Sequence, residues 1–388
     1  MYRSSFQLYS WTYAAITRIR AWRKGAQTVF TRVSLVVVIL AAILAWSGCF
    51  GVGGGHQTAF VTAPLNSGIA VYTVSNLTGK FSQLLGSPYP TGISPTQVVM
   101  HPSGKYAYLA NGGENDISLF KVASSGALTE VTPRTSAGIK PSALAINSSG
   151  SLLFVANADS NTINSYSVDA ASGTLKAGSS VQTGFTPLKL AISPSGQFLY
   201  VSNSSSNTIS GFAVDSSGNM TPVPGSPYAV GAGPNGIIVD NSGKFLYVAS
   251  LLGGNFSGFS IDSGSGALAP LSGSPYAVAV STTVISLSAV AVDRSGKFLY
   301  VTALNANKVY AYTINSTTGV PTGIANSPFA TGGGPAFISI DADGQFLFVG
   351  NQSTSNVSVF RITSSSGTLT SIATESVLSA PTSMAVIK

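Results

Sequence analysis

"SGQFLYVSN", residues 195–203, holds a turn signal, a short strand and a polar stop. Ser-Gly suits a tight turn, and Phe-Leu-Tyr-Val is too apolar for a strand with one wet face. Close copies recur: "SGKYAYLAN" from Ser103, "SGSLLFVAN" from Ser149, "SGKFLYVAS" from Ser242, "SGKFLYVTA" from Ser295 and "DGQFLFVGN" from Asp343. A turnless version, "TAFVTA", starts at Thr58. Phe60, Tyr108, Phe154, Tyr200, Tyr247, Tyr300 and Phe348 then align at steps of 48, 46, 46, 47, 53 and 48 residues. A period of that size marks a repeat architecture, in which each unit buries its faces against its neighbours.

Each repeat holds four apolar pieces. Around Gly196 they are "PLKLAIS", "QFLYVS", "ISGFAVD" and "MTPVPGSPYAV", joined by "PSG", "NSSSNT" and "SSGN". "SPY" or "SPF" recurs at Ser87, Ser226, Ser274 and Ser327. The Gly-containing turns suit antiparallel hairpins, and strands apolar on both sides need cover on both faces. Four-stranded sheets stacked face to face around an axis meet that need, which predicts an all-β chain folded as a seven-bladed β-propeller of antiparallel blades. The unit at "TAFVTA" lacks a first strand, while the closing "APTSMAVIK" matches a first strand such as "PSALAIN" and then stops. The C-terminal strand is therefore expected to complete the N-terminal blade, leaving no open edge.

Charge is distributed unevenly. The chain has 388 residues and a formal net charge of +7, yet only 8% of its residues are charged. Six of the 19 Lys and Arg (Arg3, Arg18, Arg20, Arg23, Lys24 and Arg32) precede one apolar run, and no acidic residue does. That leaves 13 basic against 12 acidic residues in the remainder. A nearly neutral body lacks the clustered basic surface that nucleic acid requires. The run "VSLVVVILAAILAW", residues 33–46, spans about 21 Å as a helix, short of a ~30 Å hydrocarbon core. A basic stretch, a short apolar run and small residues describe an export signal. Cys49 follows Ser47-Gly48 and is the single cysteine, so the body holds no internal disulfide. This stretch resembles a bacterial lipobox, with Trp46 where that motif usually carries Leu, and the resemblance implies lipid modification of Cys49. An uncleaved membrane anchor is the other reading. The expected organisation is an export signal over residues 1–48, a flexible tether over 49–57 and the propeller over 58–388. Either reading places the body outside the cytoplasm, in the bacterial cell envelope (periplasm or outer membrane).

The pattern P-x-x-x-A-x-x-x-x-G-x-x-L-Y-V-x-N, as in residues 187–203, resembles the YVTN-type repeats and the seven-bladed lactonase-like propeller family, which includes 6-phosphogluconolactonase-like proteins. The resemblance runs over essentially the whole body. It implies the propeller strongly and lactone hydrolysis weakly, because these motifs encode turns and buried strands.

Few residues carry chemistry. "GAGPNG", residues 231–236, matches G-x-G-x-x-G, but a strand follows it and not the helix that a dinucleotide site requires. No cofactor is expected. "DADG", residues 341–344, matches the opening of a calcium loop without its later ligands, and reads as a hairpin turn with no metal. His56 falls in the tether and His101 in the turn "HPSG", so neither serves a triad or a zinc site. Asn111, Asn157, Asn203 and Asn351 each end a second strand. They read first as turn residues tolerant of the left-handed conformation, and second as a ring of ligand-binding amides, with Asn111 and Asn157 the binding candidates. Second-to-third loops and interblade loops should share one face. On that face the charges gather in adjacent blades: Glu114, Asp116 and Asp159 are candidate catalytic carboxylates, Lys140 and Lys189 candidate binding cations, and Lys308 an outlier.

Two functions remain open from sequence. One is a lipid-anchored binding or scaffold module, most simply a monomer, that presents its loops to a small molecule, glycan or envelope protein. The other is a lactonase. After the leader only Arg134, Arg294 and Arg361 could clamp a phosphate, and they lie in different blades, so a lactone substrate is expected to carry no phosphate.

Overall fold

The computed structural model describes residues 55–278 and 284–388. The expected export signal, Cys49 and the expected tether up to residue 54 lie outside the described residues. The body forms seven antiparallel sheets of four principal strands each. Each sheet's innermost strand neighbours those of the two adjacent sheets, and the ring returns on itself. The innermost strands of blades two to seven are Pro95–Met100, Pro141–Ile146, Pro187–Ile192, Pro234–Val239, Leu287–Val292 and Pro335–Ile340. Met384–Ile387 supplies that strand in blade one and pairs antiparallel with His56–Ala63, placing Phe60 opposite Ala385 and Val61 opposite Met384. The predicted closure is present. Thr62 reinforces it, with its Oγ1 2.7 Å from Thr382 Oγ1 and accepting from Ser383 N at 2.8 Å.

The strand of blade one begins at His56, two residues before the expected start. Gln57 is buried; its Nε2 donates to Asp341 Oδ2 at 2.9 Å and its Oε1 accepts from Ala342 N at 3.0 Å. His56 and Gln57 thus belong to the blade and not to the tether. The polar appearance of "HQ" concealed a side chain that satisfies its neighbour's turn.

The second strands explain the doubly apolar motif. In Phe198–Asn203, Leu199 and Val201 pack with Ala143 and Phe154 of blade three, while Phe198 and Tyr200 pack with Leu246 and Val248 of blade five. Alternate side chains enter opposite blade interfaces, so both faces are core. Four second-strand tyrosines also bridge to the next blade: Tyr108, Tyr200, Tyr247 and Tyr300 donate to Gly173 O, Gly266 O, Gly319 O and Gly367 O at 2.7, 2.7, 2.6 and 2.9 Å. Burial raises the pKa of all four. Phe60, Phe154 and Phe348 fill the same place without a hydroxyl. The accepting turns need glycine. Gly319 has φ +71°, and a Cβ there would lie 2.4 Å from Phe245 Cδ1.

The recurring Ser-Pro-aromatic motif completes the outer edge. In blades one, four, five and six the fourth strand is interrupted, as between Met220–Pro222 and Tyr228–Ala229. There the Ser hydroxyl accepts the third-strand amide that would otherwise lack a partner, for example Gly211 N to Ser226 Oγ at 3.0 Å.

Candidate functional site at the channel mouth

The innermost strands enclose an axial cavity of about 470 Å³. It opens into a second cavity of about 420 Å³, bounded by the starts of the innermost strands and by loop residues such as Ala158, Leu251, Leu304 and Gln352. Lys189, Ser288, Ala336 and Thr382 line both. This is the face of the second-to-third loops and interblade loops, which hydrogen-bond to one another: Ala158 N to Lys140 O at 2.9 Å and Ser204 N to Thr186 O at 2.9 Å.

A set of hydroxyls clasps the mouth. One residue after the strand-opening proline, Thr96 Oγ1 donates to Pro141 O (3.0 Å) and Ser142 Oγ to Pro187 O (2.6 Å). Ser288 Oγ and Thr382 Oγ1 likewise donate to Pro335 O (2.6 Å) and Pro95 O (3.3 Å). Blade four breaks the series with Leu188, and Ser202 from the next strand bonds Asn235 O instead, at 2.7 Å. Outside this polar ring the interblade loops expose Ile93, Ile139 and Phe185.

The sequence candidates separate into three environments. Glu114 and Asp116 meet around Arg134, a fourth-strand residue of the same blade. Its Nη1 lies 2.6 Å from Glu114 Oε2 and 3.8 Å from Asp116 Oδ2, and its Nε 2.7 Å from Glu130 Oε1. That hydrogen bond to Glu130 and the surrounding carboxylates raise the Arg134 pKa. One guanidinium thus serves three carboxylates, and the cluster keeps a net negative charge. Asp159 sits at the mouth rim, its Oδ1 3.5 Å from Lys140 Nζ, with both side chains largely exposed. Lys140 and the neighbouring Ala158 line the mouth. Lys189 lies deeper, and burial pushes its pKa down to about 8.

Asn111 and Asn157 are fully buried. Asn111 Nδ2 donates to Asp116 Oδ1 (2.6 Å) and Ser118 Oγ (2.9 Å), and Asn157 Oδ1 accepts from Gly138 N (3.0 Å). Asn203 and Asn351 make the same Nδ2 bonds to the strand beside them. None of the four adopts the left-handed conformation expected of them; each ends its strand in extended backbone and bonds across to the next strand, and interblade glycines pack on them so closely that a Cβ at Gly92 would lie 2.5 Å from Asn111 Cγ. His101 is buried in its turn, with Nδ1 2.7 Å from Ser103 Oγ.

The reading from sequence missed a second asparagine, four residues later in three of these loops and at Asn307 in blade six. Asn115, Asn161, Asn207 and Asn307 all have φ near +60° (61°, 56°, 56° and 54°). Each side chain accepts the last amide of the interblade loop, just before the next innermost strand, as Lys140 N to Asn115 Oδ1 at 2.8 Å and Thr186 N to Asn161 Oδ1 at 2.8 Å. The signal was present as N-x-x-x-N, since asparagine tolerates the left-handed region. These residues position the loop that carries Lys140.

The profile of the family described as "Lactonase, 7-bladed beta-propeller" matches residues 50–187, 186–285 and 228–386. The chain belongs to this family. No curated protein matches the sequence. Among solved structures, a candidate 6-phosphogluconolactonase from Bacteroides fragilis superposes with a TM-score of 0.76 at 22% identity, covering 87% of this chain and 99% of its own. The periplasmic gluconolactonase PpgL of Pseudomonas aeruginosa gives 0.76 at 18% identity, covering 86% and 99%. Hydrazine synthase of Kuenenia stuttgartiensis gives 0.59 at 18% identity, covering 78% and 94%. At these identities the likeness establishes the fold. Membership of the lactonase family favours the hydrolase expectation over the binding module.

Proposed function

We propose that the protein is an extracytoplasmic lactonase that opens an uncharged, hydroxyl-bearing lactone at the channel mouth. One observation carries the substrate class: the mouth lining sets hydroxyls and amides among apolar side chains such as Leu188, Leu251 and Leu304, and among the described residues Lys140 and Lys189 are its only charged lining residues. Among the described residues no arginine lines the mouth to clamp a phosphate there. Arg134 is held by three carboxylates, Arg294 Nε donates to Asp341 O (3.3 Å), and Arg361 Nη2 bonds Leu77 O (2.5 Å) while stacking on Phe346. In the reaction a water oxygen bonds to the lactone carbonyl carbon, the ring acyl C–O bond breaks, and the ring oxygen takes a proton, leaving a hydroxy acid. Asp159 is the carboxylate placed beside the mouth to accept the water's proton, and the Lys189 ammonium is placed to stabilise the carbonyl oxygen as it becomes negative. Asp116 and Glu114 share Arg134 with Glu130 and support the loop.

The basic leader followed by a short apolar run supports export, and the periplasmic location of the Pseudomonas gluconolactonase is consistent with it. Cys49 is the proposed site of lipid attachment. The test is a pH-stat screen of γ- and δ-sugar lactones with the full-length protein in detergent. Acceleration above the spontaneous rate, lost in Asp159→Asn, is the expected result. A panel hydrolysed no faster than in buffer would overturn the reading.

A further inference from the structure

The seven innermost strands read PTQVVM, PSALAI, PLKLAI, PNGIIV, LSAVAV, PAFISI and MAVI. Lys189 is the one ionisable side chain among them. It sits where mouth and channel meet, because it lines both cavities. The strands packed against its own, Pro141–Ile146, Leu152–Asn157, Pro234–Val239 and Phe198–Asn203, offer no carboxylate, amine or imidazole. Tyr200 is their single titratable group, and its hydroxyl is spent on Gly266 O at 2.7 Å. Across the channel the facing strands carry none. The mouth's other cation, Lys140, is paired with Asp159. Among the described residues no carboxylate pairs with Lys189.

A desolvated ammonium without a protein anion is costly, and its pKa of about 8 reflects that cost. The hydroxyls of Thr96 and Ser142 have their protons committed to proline carbonyls, and Thr382 Oγ1 sits between Pro95 O and Thr62 Oγ1, so toward a ligand these residues present lone pairs and accept; Ser288 is buried behind them, its Oγ shared between Pro335 O and Thr302 Oγ1. The surroundings therefore combine one cation with a ring of acceptors.

We propose that Lys189 and this hydroxyl ring form a binding site for a polyhydroxy carboxylate, with Nζ ion-paired to the carboxylate and the ligand's own hydroxyls donating to Thr96, Ser142 and Thr382. Its identification as the ring-opened product rests on the lactonase reading; the anion site itself does not. Such a product would hold the enzyme until it leaves, so hydrolysis would be inhibited by its own acid.

The probe is sodium gluconate, titrated calorimetrically into the full-length protein at pH 7 and pH 9, with sorbitol as the uncharged polyol and sodium formate as the bare anion. Gluconate should bind one to one, formate at least tenfold more weakly, and sorbitol not measurably. Only the protonated amine binds, so gluconate affinity should fall about tenfold from pH 7 to pH 9. Lys189→Gln should lower it at least tenfold and Lys189→Arg should retain it, each with an unchanged circular dichroism spectrum. If Lys189→Gln does not fold, Lys189→Arg and the pH series decide. No gluconate binding, equal affinity at the two pH values, or full affinity in Lys189→Gln would overturn the site. Lactone turnover without gluconate binding would remove this site and leave the lactonase; gluconate binding without turnover would do the reverse.

Discussion

Replacing Lys189 by Met should make the protein more stable at neutral pH. Met matches the length of the lysine stem and suits the neighbouring Leu190, Ile192 and Ile237, which line the same cavity. What it removes is a buried charge with no partner. The fall in pKa from 10.5 to about 8 corresponds, at about 1.4 kcal/mol per pH unit, to an upper bound of roughly 3 kcal/mol. Lys189 keeps some accessible surface, so channel water screens it and about 1–2 kcal/mol is the expected gain. The pH dependence follows from the direction of the shift. Below about pH 8 both folded and unfolded chains carry the charge, and the native state bears the full penalty. Between 8 and 10.5 the native amine is neutral while the unfolded one remains charged, so wild-type stability rises with pH and the advantage of Met shrinks. The buried tyrosines, whose raised pKa values destabilise the fold above about pH 10, act equally on both proteins and cancel in the difference. Urea unfolding of both proteins from pH 7 to pH 10 measures the gap directly. No gain at pH 7, or a gap that stays constant to pH 10, would refute the argument.

Four further outcomes are expected. Tyr247→Phe leaves Gly319 O without its donor and should cost about 1 kcal/mol in urea unfolding, whereas a cost near zero would mean that water replaces the hydroxyl. Deleting residues 381–388 bares His56–Ala63 on its inner side and should cause aggregation or loss of cooperative melting; a deletion protein that melts like the full chain would contradict the closure. Glu114→Gln should change stability by less than about 1 kcal/mol, because Arg134 keeps Glu130 and Asp116, and should leave lactone turnover intact, so a larger loss than in Asp159→Asn would move the catalytic carboxylate to blade two. Cys49→Ser should shift the protein from the membrane to the soluble fraction or block its processing; unchanged fractionation at unchanged mass would favour an uncleaved anchor.

Much of the fold was legible because the signals are local and repeated. The turn in "SGQFLYVSN" is set by its own residues, and the doubly apolar Phe-Leu-Tyr-Val fixes two buried faces. The site was less legible. Lys189 looked like a rim residue beside Pro187, but the register between innermost and second strands shifts between Pro187 and Lys189. The same shift recurs at Pro95/Gln97 and Pro335/Phe337, so it breaks the simple alternation in each blade while the local neighbours set where the side chain goes. The equivalent residues go to different places: Gln97 reaches the Leu144 backbone, while Phe337 is buried in a blade interface. Arg134 looked available to clamp a phosphate, but Glu130 on its own strand, Asp116 on the neighbouring strand and Glu114 in the loop before it all converge on the guanidinium, beside a register shift between Ile117 and Leu119. Periodicity reveals which residues share a strand face. It does not reveal where one extra residue rotates the pattern.

The position of the first strand also governs how the body bears mechanical load. His56–Ala63 has Gly68–Ser75 on one side and Met384–Ile387 on the other. A pull along the chain from residue 55 therefore acts in the plane of two ladders whose hydrogen bonds lie across the strand. They resist sliding together, where a strand at a sheet edge would be peeled one bond at a time. The end of the chain shields its beginning from that peeling, so force arriving from the N-terminal side is shared across the middle of blade one.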